Sequence, residues 1–343
     1  METLDLPVIW AVILALAVLM YVVLDGFDLG LGILFPLAPD DADRSRMMNS
    51  VAPVWDGNET WLVLGGGGLF AAFPTAYAAF FPAVYMPIGF MLTALIFRGV
   101  AFEFRFKAHS PAGRRLWDTA FFLGSLVAAI AQGLILGTFV EGVAVTGTAF
   151  SGGMFDWLTP FSVLTGLSVV AGYTLLGSTW LIVKTDKALQ FQAQKWARRS
   201  LGVVIVAMVA VSAWTPFLQP RIAERWGLGW PSLDFSRLLP LAPVPVLAAL
   251  AAYALHKALR NGNTHSPFIL SVALFALGYL GLAISIFPYI VPYELTVWDA
   301  AAAPSSQAVL LIGVLVMLPL ILTYTAYVYW IFRGKVGDGG YHE

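Results

Sequence analysis

The chain has 343 residues, of which 59% are hydrophobic and 11% charged, with a mean hydropathy of +0.80. A soluble domain carries roughly 25% charged residues, so an ordinary soluble protein is excluded and an integral membrane protein is indicated. Nineteen Lys and Arg against twenty Asp and Glu leave no basic excess for nucleic acid, and the lack of cysteine removes disulfide scaffolds, thiolate metal sites and thiol nucleophiles.

Charge-free intervals locate the spans, because crossing a ~30 Å hydrocarbon core takes about 20 mostly apolar residues. They cover residues 6–24, 60–97, 119–140, 157–183, 200–220, 238–255, 266–293 and 300–332. The first is too long for a signal-peptide apolar region and continues without a small-residue cleavage site, so it is a mature span. The second holds two helices, with Phe73-Pro74 and Phe81-Pro82 marking the hairpin between them. The sequence thus predicts an all-α polytopic membrane protein, a single membrane domain over residues 1–343. Its nine helices lie near 6–35, 50–73, 77–104, 116–140, 157–184, 199–219, 238–257, 266–288 and 306–332. The connections are too short to bury a core of their own.

Orientation follows from Lys and Arg, which stay on the cytoplasmic side of short loops. Alternate connections hold fifteen of the nineteen basic residues; the other side holds only Arg221, Arg225 and Arg237, and Arg98 lies within the third helix. The amino terminus is therefore expected outside (periplasmic) and the carboxyl terminus in the cytoplasm.

Ionisable residues inside a membrane are costly and are functional candidates by default. Asp25 and Asp28 in the first helix are three apart and share a face, as do Asp56 and Glu59 in the second, beside Trp55 and Asn58. The third helix carries Arg98 and Glu103, and Asp118 opens the fourth; helices five to nine have no charge in their interiors. At ~1.5 Å per residue Asp25 lies roughly 15 Å below the cytoplasmic surface. These charges gather in the cytoplasmic half of the first three helices, forming a polar funnel suited to a proton or cation path. The plainer alternative is that they snorkel, pair structurally or cap helix ends.

Other features point less far. Residues 65–68 are a glycine run suited to close helix packing, since no G-K-[ST] follows. Trp10, Trp157, Trp180, Trp226, Trp230, Trp298 and Trp330 fit interfacial belts. Haem would need axial histidines within helices, but His109, His265 and His342 fall in loops or the tail and His256 at a helix edge. No metal or haem site is expected in this chain.

Residues 25–32 read D-G-F-D-L-G-L-G, 51–62 V-A-P-V-W-D-G-N-E-T-W-L, 69–78 L-F-A-A-F-P-T-A-Y-A and 97–105 F-R-G-V-A-F-E-F-R. Trp117-Asp118, Phe287-Pro288, T-V-W-D-A at 296–300 and Gln307 follow. This set, running over the whole chain, resembles subunit II of the cytochrome bd-type quinol oxidases, with 97–105 closer to the cyanide-insensitive branch. The resemblance implies a bacterial cytoplasmic (inner) membrane complex that oxidises quinol and reduces dioxygen to water, generating a proton motive force without pumping. It implies two four-helix bundles plus one peripheral helix, and a partner, subunit I, that carries all the haems, of b and d types. Some members hold a structural quinone in this subunit, some have small accessory subunits, and lipid surrounds the whole. By motif, Asp25, Trp55 and Asp56 are carried over to a cytoplasmic proton path, with Asp28, Glu59, Arg98 and Glu103 in support and no complete catalytic site in this chain. The competing readings are a purely structural oxidase subunit, in which the carboxylates would be dispensable, and a proton-coupled secondary transporter, which would show repeats and broken helices around a midplane site.

Overall fold

The computed structural model describes residues 5–229 and 233–337; Trp230 and His342 lie outside the described residues. Among the described residues the regular structure is helical apart from two small antiparallel β ladders, and eight helical segments are long and apolar enough to cross a membrane. It is therefore a multi-pass membrane protein.

Helix α1 (Leu6–Leu34) starts at Asp5, whose carboxylate caps the backbone of Val8 at 3.3 Å, and ends in a 3-10 turn at Phe35–Leu37. Its 29 residues reach about 43 Å. A short helix that the charge-free intervals cannot reveal, α2 (Asp41–Asn49), follows; Asp40 caps it, and Met47 and Met48 anchor it in the core. Helix α3 (Trp55–Ala72) is the expected second helix, but the charges at its start and its four glycines keep it outside the eight apolar spans. The hairpin after it is itself helical: α4 (Pro74–Phe80) and a 3-10 turn at Phe81–Val84, each with a proline in its first two positions, lead into α5 (Tyr85–Lys107).

Helices α6 (Pro111–Glu141) and α7 (Pro160–Lys184) follow, joined through the ladder β1 (Val145–Thr146) and β2 (Ala149–Phe150). Helix α8 (Lys187–Leu218) begins twelve residues before its expected start. Its polar first turns are amphipathic, with Leu189, Ala193, Trp196, Ala197 and Ser200 buried on one face, a pattern that a search for charge-free stretches passes over. After α9 (Pro220–Arg225), the expected seventh helix is divided into α10 (Phe235–Leu241) and α11 (Pro243–Arg260), in a stretch where Pro240, Pro243 and Pro245 withhold backbone donors. Helix α12 (Ser266–Ile286), the ladder β3 (Tyr289–Val291) and β4 (Leu295–Thr296), and α13 (Pro304–Ile331) complete the chain.

The core sits where α1, α6 and α7 meet, and small residues allow that approach. A Cβ on Gly30 would fall on the Tyr173 carbonyl, while Gly177 of α7 faces the α1 backbone at Gly30 and Leu31. Between α6 and α7, Gly133 faces the Gly166 backbone and Thr165 Oγ1 donates to the Gly133 carbonyl at 2.7 Å. Helix α13 packs more loosely and is tied at both ends by polar contacts. Trp10 Nε1 donates to the Gln307 carbonyl at 3.1 Å and Gln307 Nε2 to the Ala72 carbonyl at 3.0 Å. At the other end Lys184 Nζ donates to the Phe332 carbonyl. Of the tryptophans expected in interfacial belts, Trp10, Trp157 and Trp180 are buried; the indole N–H groups of Trp10 and Trp180 reach the carbonyls of Gln307 and Ser50 inside the fold, and that of Trp157 reaches the nearby Met154 carbonyl.

Candidate functional site

The two acids of α1 lie where that helix is wholly enclosed: every residue from 25 to 32 is buried. Within this one motif, Asp25 and Asp28 face α5 while Gly26 and Gly30 open the opposite face to α7. Arg98 of α5 meets the acids. Its Nη2 lies 2.6 Å from Asp25 Oδ1 and 3.7 Å from Asp28 Oδ2, and its Nη1 lies 3.1 Å from Glu59 Oε2 on α3. The side chains of Arg98, Asp25 and Asp28 are 0% exposed, whereas Glu59 is 29% exposed, so the cluster opens to the surface along α3.

Aromatic and amide groups hold this cluster in place. The Trp55 ring stacks on Phe102 at 4.9 Å, and the Arg98 guanidinium sits 5.6 Å from the Trp55 centroid and 5.7 Å from that of Phe102. Gly99 leaves room for the Trp55 ring, which would touch an added Cβ at 3.5 Å. Asn58 Nδ2 donates to Asp28 Oδ2 at 2.8 Å, and Tyr329 of α13 donates to Asn58 Oδ1 at 2.8 Å. Among the described residues, Asp25 Oδ2, Asp28 Oδ1 and Arg98 Nε have no hydrogen-bond partner.

The structure thus brings together Asp25, Asp28, Glu59, Arg98 and Trp55. It does not bring in Asp56, which is exposed one turn before Glu59 on α3, nor Glu103, which is exposed and lies 3.5 Å from Lys107. Asp118 belongs to a second ionic group: Arg105, two turns beyond Arg98, pairs with Asp118 and Asp41 at 2.6 Å each and donates to Ser45 Oγ at 3.0 Å, clasping α2, α5 and α6. Three polar residues near the cluster escape the charge-based reading. Tyr21 lies one turn before Asp25; Gln132 of α6 donates to Tyr21 Oη at 2.8 Å and accepts from Tyr173 Oη at 2.5 Å. Gln132 was visible as a lone amide within a predicted span, but no local feature marks the two tyrosines.

A multi-pass membrane protein with an acid-rich buried cluster shared by α1, α3 and α5 defines the class. The chain belongs to the family described as cytochrome bd terminal oxidase subunit II, which matches residues 6–332. Subunit 2 of cytochrome bd-I ubiquinol oxidase of Escherichia coli (strain K12) is 29% identical to it, with 96% of this chain and 94% of that protein covered. Subunit 2 of cytochrome bd ubiquinol oxidase of Bacillus subtilis (strain 168) is 30% identical, with 96% of each covered. In fold the chain is similar to a chain of the bd oxidase from Geobacillus thermodenitrificans, with a TM-score of 0.78 at 19% identity, covering 96% of this chain and 99% of that one. It is accordingly a subunit of an oxidoreductase complex.

The residues present do not fit a haem held within the helices. The described histidines, His109, His256 and His265, are all exposed, two of them in connections between helices. Among the described residues no group of three or more His, Cys, Asp or Glu is placed to hold a metal ion.

Proposed function

We propose that this chain is the haem-free subunit II of a quinol-oxidising, dioxygen-reducing complex in the bacterial inner membrane, and that it conducts cytoplasmic protons toward a partner, subunit I, that carries the haems. The chain is one membrane domain crossing the bilayer nine times, with α3 as the ninth span; its 18 residues reach about 27 Å. The fifteen-to-three division of basic residues supports an external amino terminus and a cytoplasmic carboxyl terminus.

The observation that carries the reading is the excess of acid over base in the buried cluster. Fully ionised, Asp25, Asp28 and Glu59 against Arg98 would leave two negative charges without a counter-charge, and a low-dielectric interior disfavours such an imbalance. Protons arriving on the carboxylates restore balance, and protons leaving toward the partner reset it. Proton relays across membranes use ionisable side chains joined by water, and the two unbonded carboxylate oxygens offer acceptors for such a chain. Glu59 supplies the opening, Asp56 the outer acid one turn away, and Trp55 fixes the Arg98 side chain between them.

Asp25→Asn and Asp28→Asn keep shape and hydrogen bonding while removing the exchangeable proton. The expected outcome is a normal yield of complex and normal haem content, with quinol oxidase turnover lowered by about tenfold or more, in the range typical of lost proton transfer. Full turnover and proton uptake in both variants would overturn the path. Loss of assembled complex would instead assign the carboxylates a structural part.

A further inference from the structure

The side of the molecule that the charge distribution leaves nearly free of basic residues has three arginines, and all three line one cavity. Arg221, Arg225 and Arg237 surround a space of about 270 Å³ next to the connection between α12 and β3. Arg221 donates through Nη1 to Tyr289 Oη at 2.9 Å and to the Tyr293 carbonyl at 3.2 Å. Arg225, one turn further along α9, donates through Nη1 to the carbonyls of Ile284 and Phe287, at the end of α12. Arg237 has a carboxylate partner, Asp234 at 3.2 Å. Among the described residues neither Arg221 nor Arg225 has an ion-pair partner, although Glu224 also borders the cavity; both are held through Nη1, and the Arg221 guanidinium lies 5.6 Å from the centre of the Tyr289 ring. Counting Glu224 and Asp234 against the three arginines, one positive charge is left over.

A second space, of about 430 Å³, adjoins the first through Arg225 and is otherwise apolar, bordered by Leu241 of α10, Ala283 and Ile284 of α12, and Phe287. A guanidinium at a helix end is favourable in itself, since the last carbonyls carry partial negative charge. Arg225 alone fills that role for α12. It accounts neither for a second arginine held on neutral oxygens nor for the apolar space beside them.

We propose that the two cavities together bind an anionic phospholipid, its phosphate on the guanidinium edges of Arg221 and Arg225 and an acyl chain along Leu241, Ile284 and Phe287. Guanidinium edges match phosphate oxygens in pairs, and a singly charged phosphodiester balances the one excess charge. The adjoining apolar space gives a reason for a lipid rather than free phosphate, which would use only the polar half. The site is separate from the ionic cluster of α1, α3 and α5 and needs no proton path.

The test uses the full chain in its purified complex, delipidated and placed in nanodiscs of phosphatidylcholine with or without phosphatidylglycerol, with retained lipid read by native mass spectrometry. Phosphatidylglycerol is expected to be retained about tenfold over phosphatidylcholine, equivalent to one charge-assisted contact. Arg221→Gln should abolish that preference, whereas Arg115→Gln, at an exposed position outside both cavities, should preserve it. Equal retention of both lipids by the unaltered protein, or an undiminished preference in Arg221→Gln, would overturn the proposal. So would displacement of phosphatidylglycerol by millimolar inorganic phosphate, which would define a site for the free anion.

Discussion

Arg98 is the residue on which the cluster turns, because one guanidinium serves three carboxylates from two other helices. Removing one partner of a buried ion pair strands the other, at a cost of about 3–5 kcal/mol. Arg98→Gln is therefore expected to lower both the yield of complex and its thermal midpoint by amounts readable in a detergent melt. If the damage comes from uncompensated acid, the double variant with Asp25→Asn should recover part of the loss. A double variant no more stable than Arg98→Gln would show that the guanidinium acts through its packing on Trp55 and Phe102 instead. The acids and Arg98 were legible in the sequence because charge inside an apolar span is conspicuous. Which of them meet was not. Glu103 is only five residues beyond Arg98, but on α5 that spacing turns it away toward Lys107 and solvent.

At the scale of helices, the glycines of the first motif do as much as its acids. Gly30→Val would drive a branched side chain into the Tyr173 carbonyl and part α1 from α7, where overpacking costs typically about 1–3 kcal/mol. A lowered thermal midpoint is expected, with a smaller effect from Gly66→Ala, whose added Cβ meets nothing within 4 Å. The T-V-W-D-A stretch has a local explanation of a different kind. Asp299 accepts from Thr296 N at 3.1 Å and from Thr296 Oγ1 at 2.5 Å, and these bonds hold its carboxyl below the ordinary carboxylate range. A lowered folded-state value stabilises above the unfolded value and is lost as pH falls through the folded one. Amide protection in residues 289–303, taken relative to the intrinsic exchange rate at each pH, should therefore be present at neutral pH and fall away below 3.8, the ordinary value for this group, and Asp299→Asn should flatten that dependence. The order and approximate positions of the eight long apolar helices were readable from apolar length, since hydrocarbon thickness sets it. Helix α2, the early turns of α8 and the helical hairpin at α4 were not, because their formation depends on amphipathic faces and proline positions rather than on freedom from charge.

At the scale of the whole molecule, α3 carries its polarity on a face that this chain does not cover. Asp56, Gly57, Thr60, Gly66 and Gly67 are exposed, next to the partly open Glu59. Lipid is a poor cover for carboxylates, and Gly66 and Gly67, with open space where a Cβ would sit, let another helix approach closely. A partner subunit resting there would seal the cluster and receive its protons directly. Gly67 separates this idea from a defect in folding: an added Cβ meets nothing within 4 Å inside the chain, and replacing glycine in a helix removes a penalty of roughly 1 kcal/mol. Gly67→Leu should thus leave the chain as stable in membranes as before, by protease resistance and detergent melt, while a tagged copy recovers far less of the partner subunit. Undiminished recovery of partner by Gly67→Leu would place this face of α3 against lipid, and the handover of protons from the cluster to the partner would then have to run elsewhere.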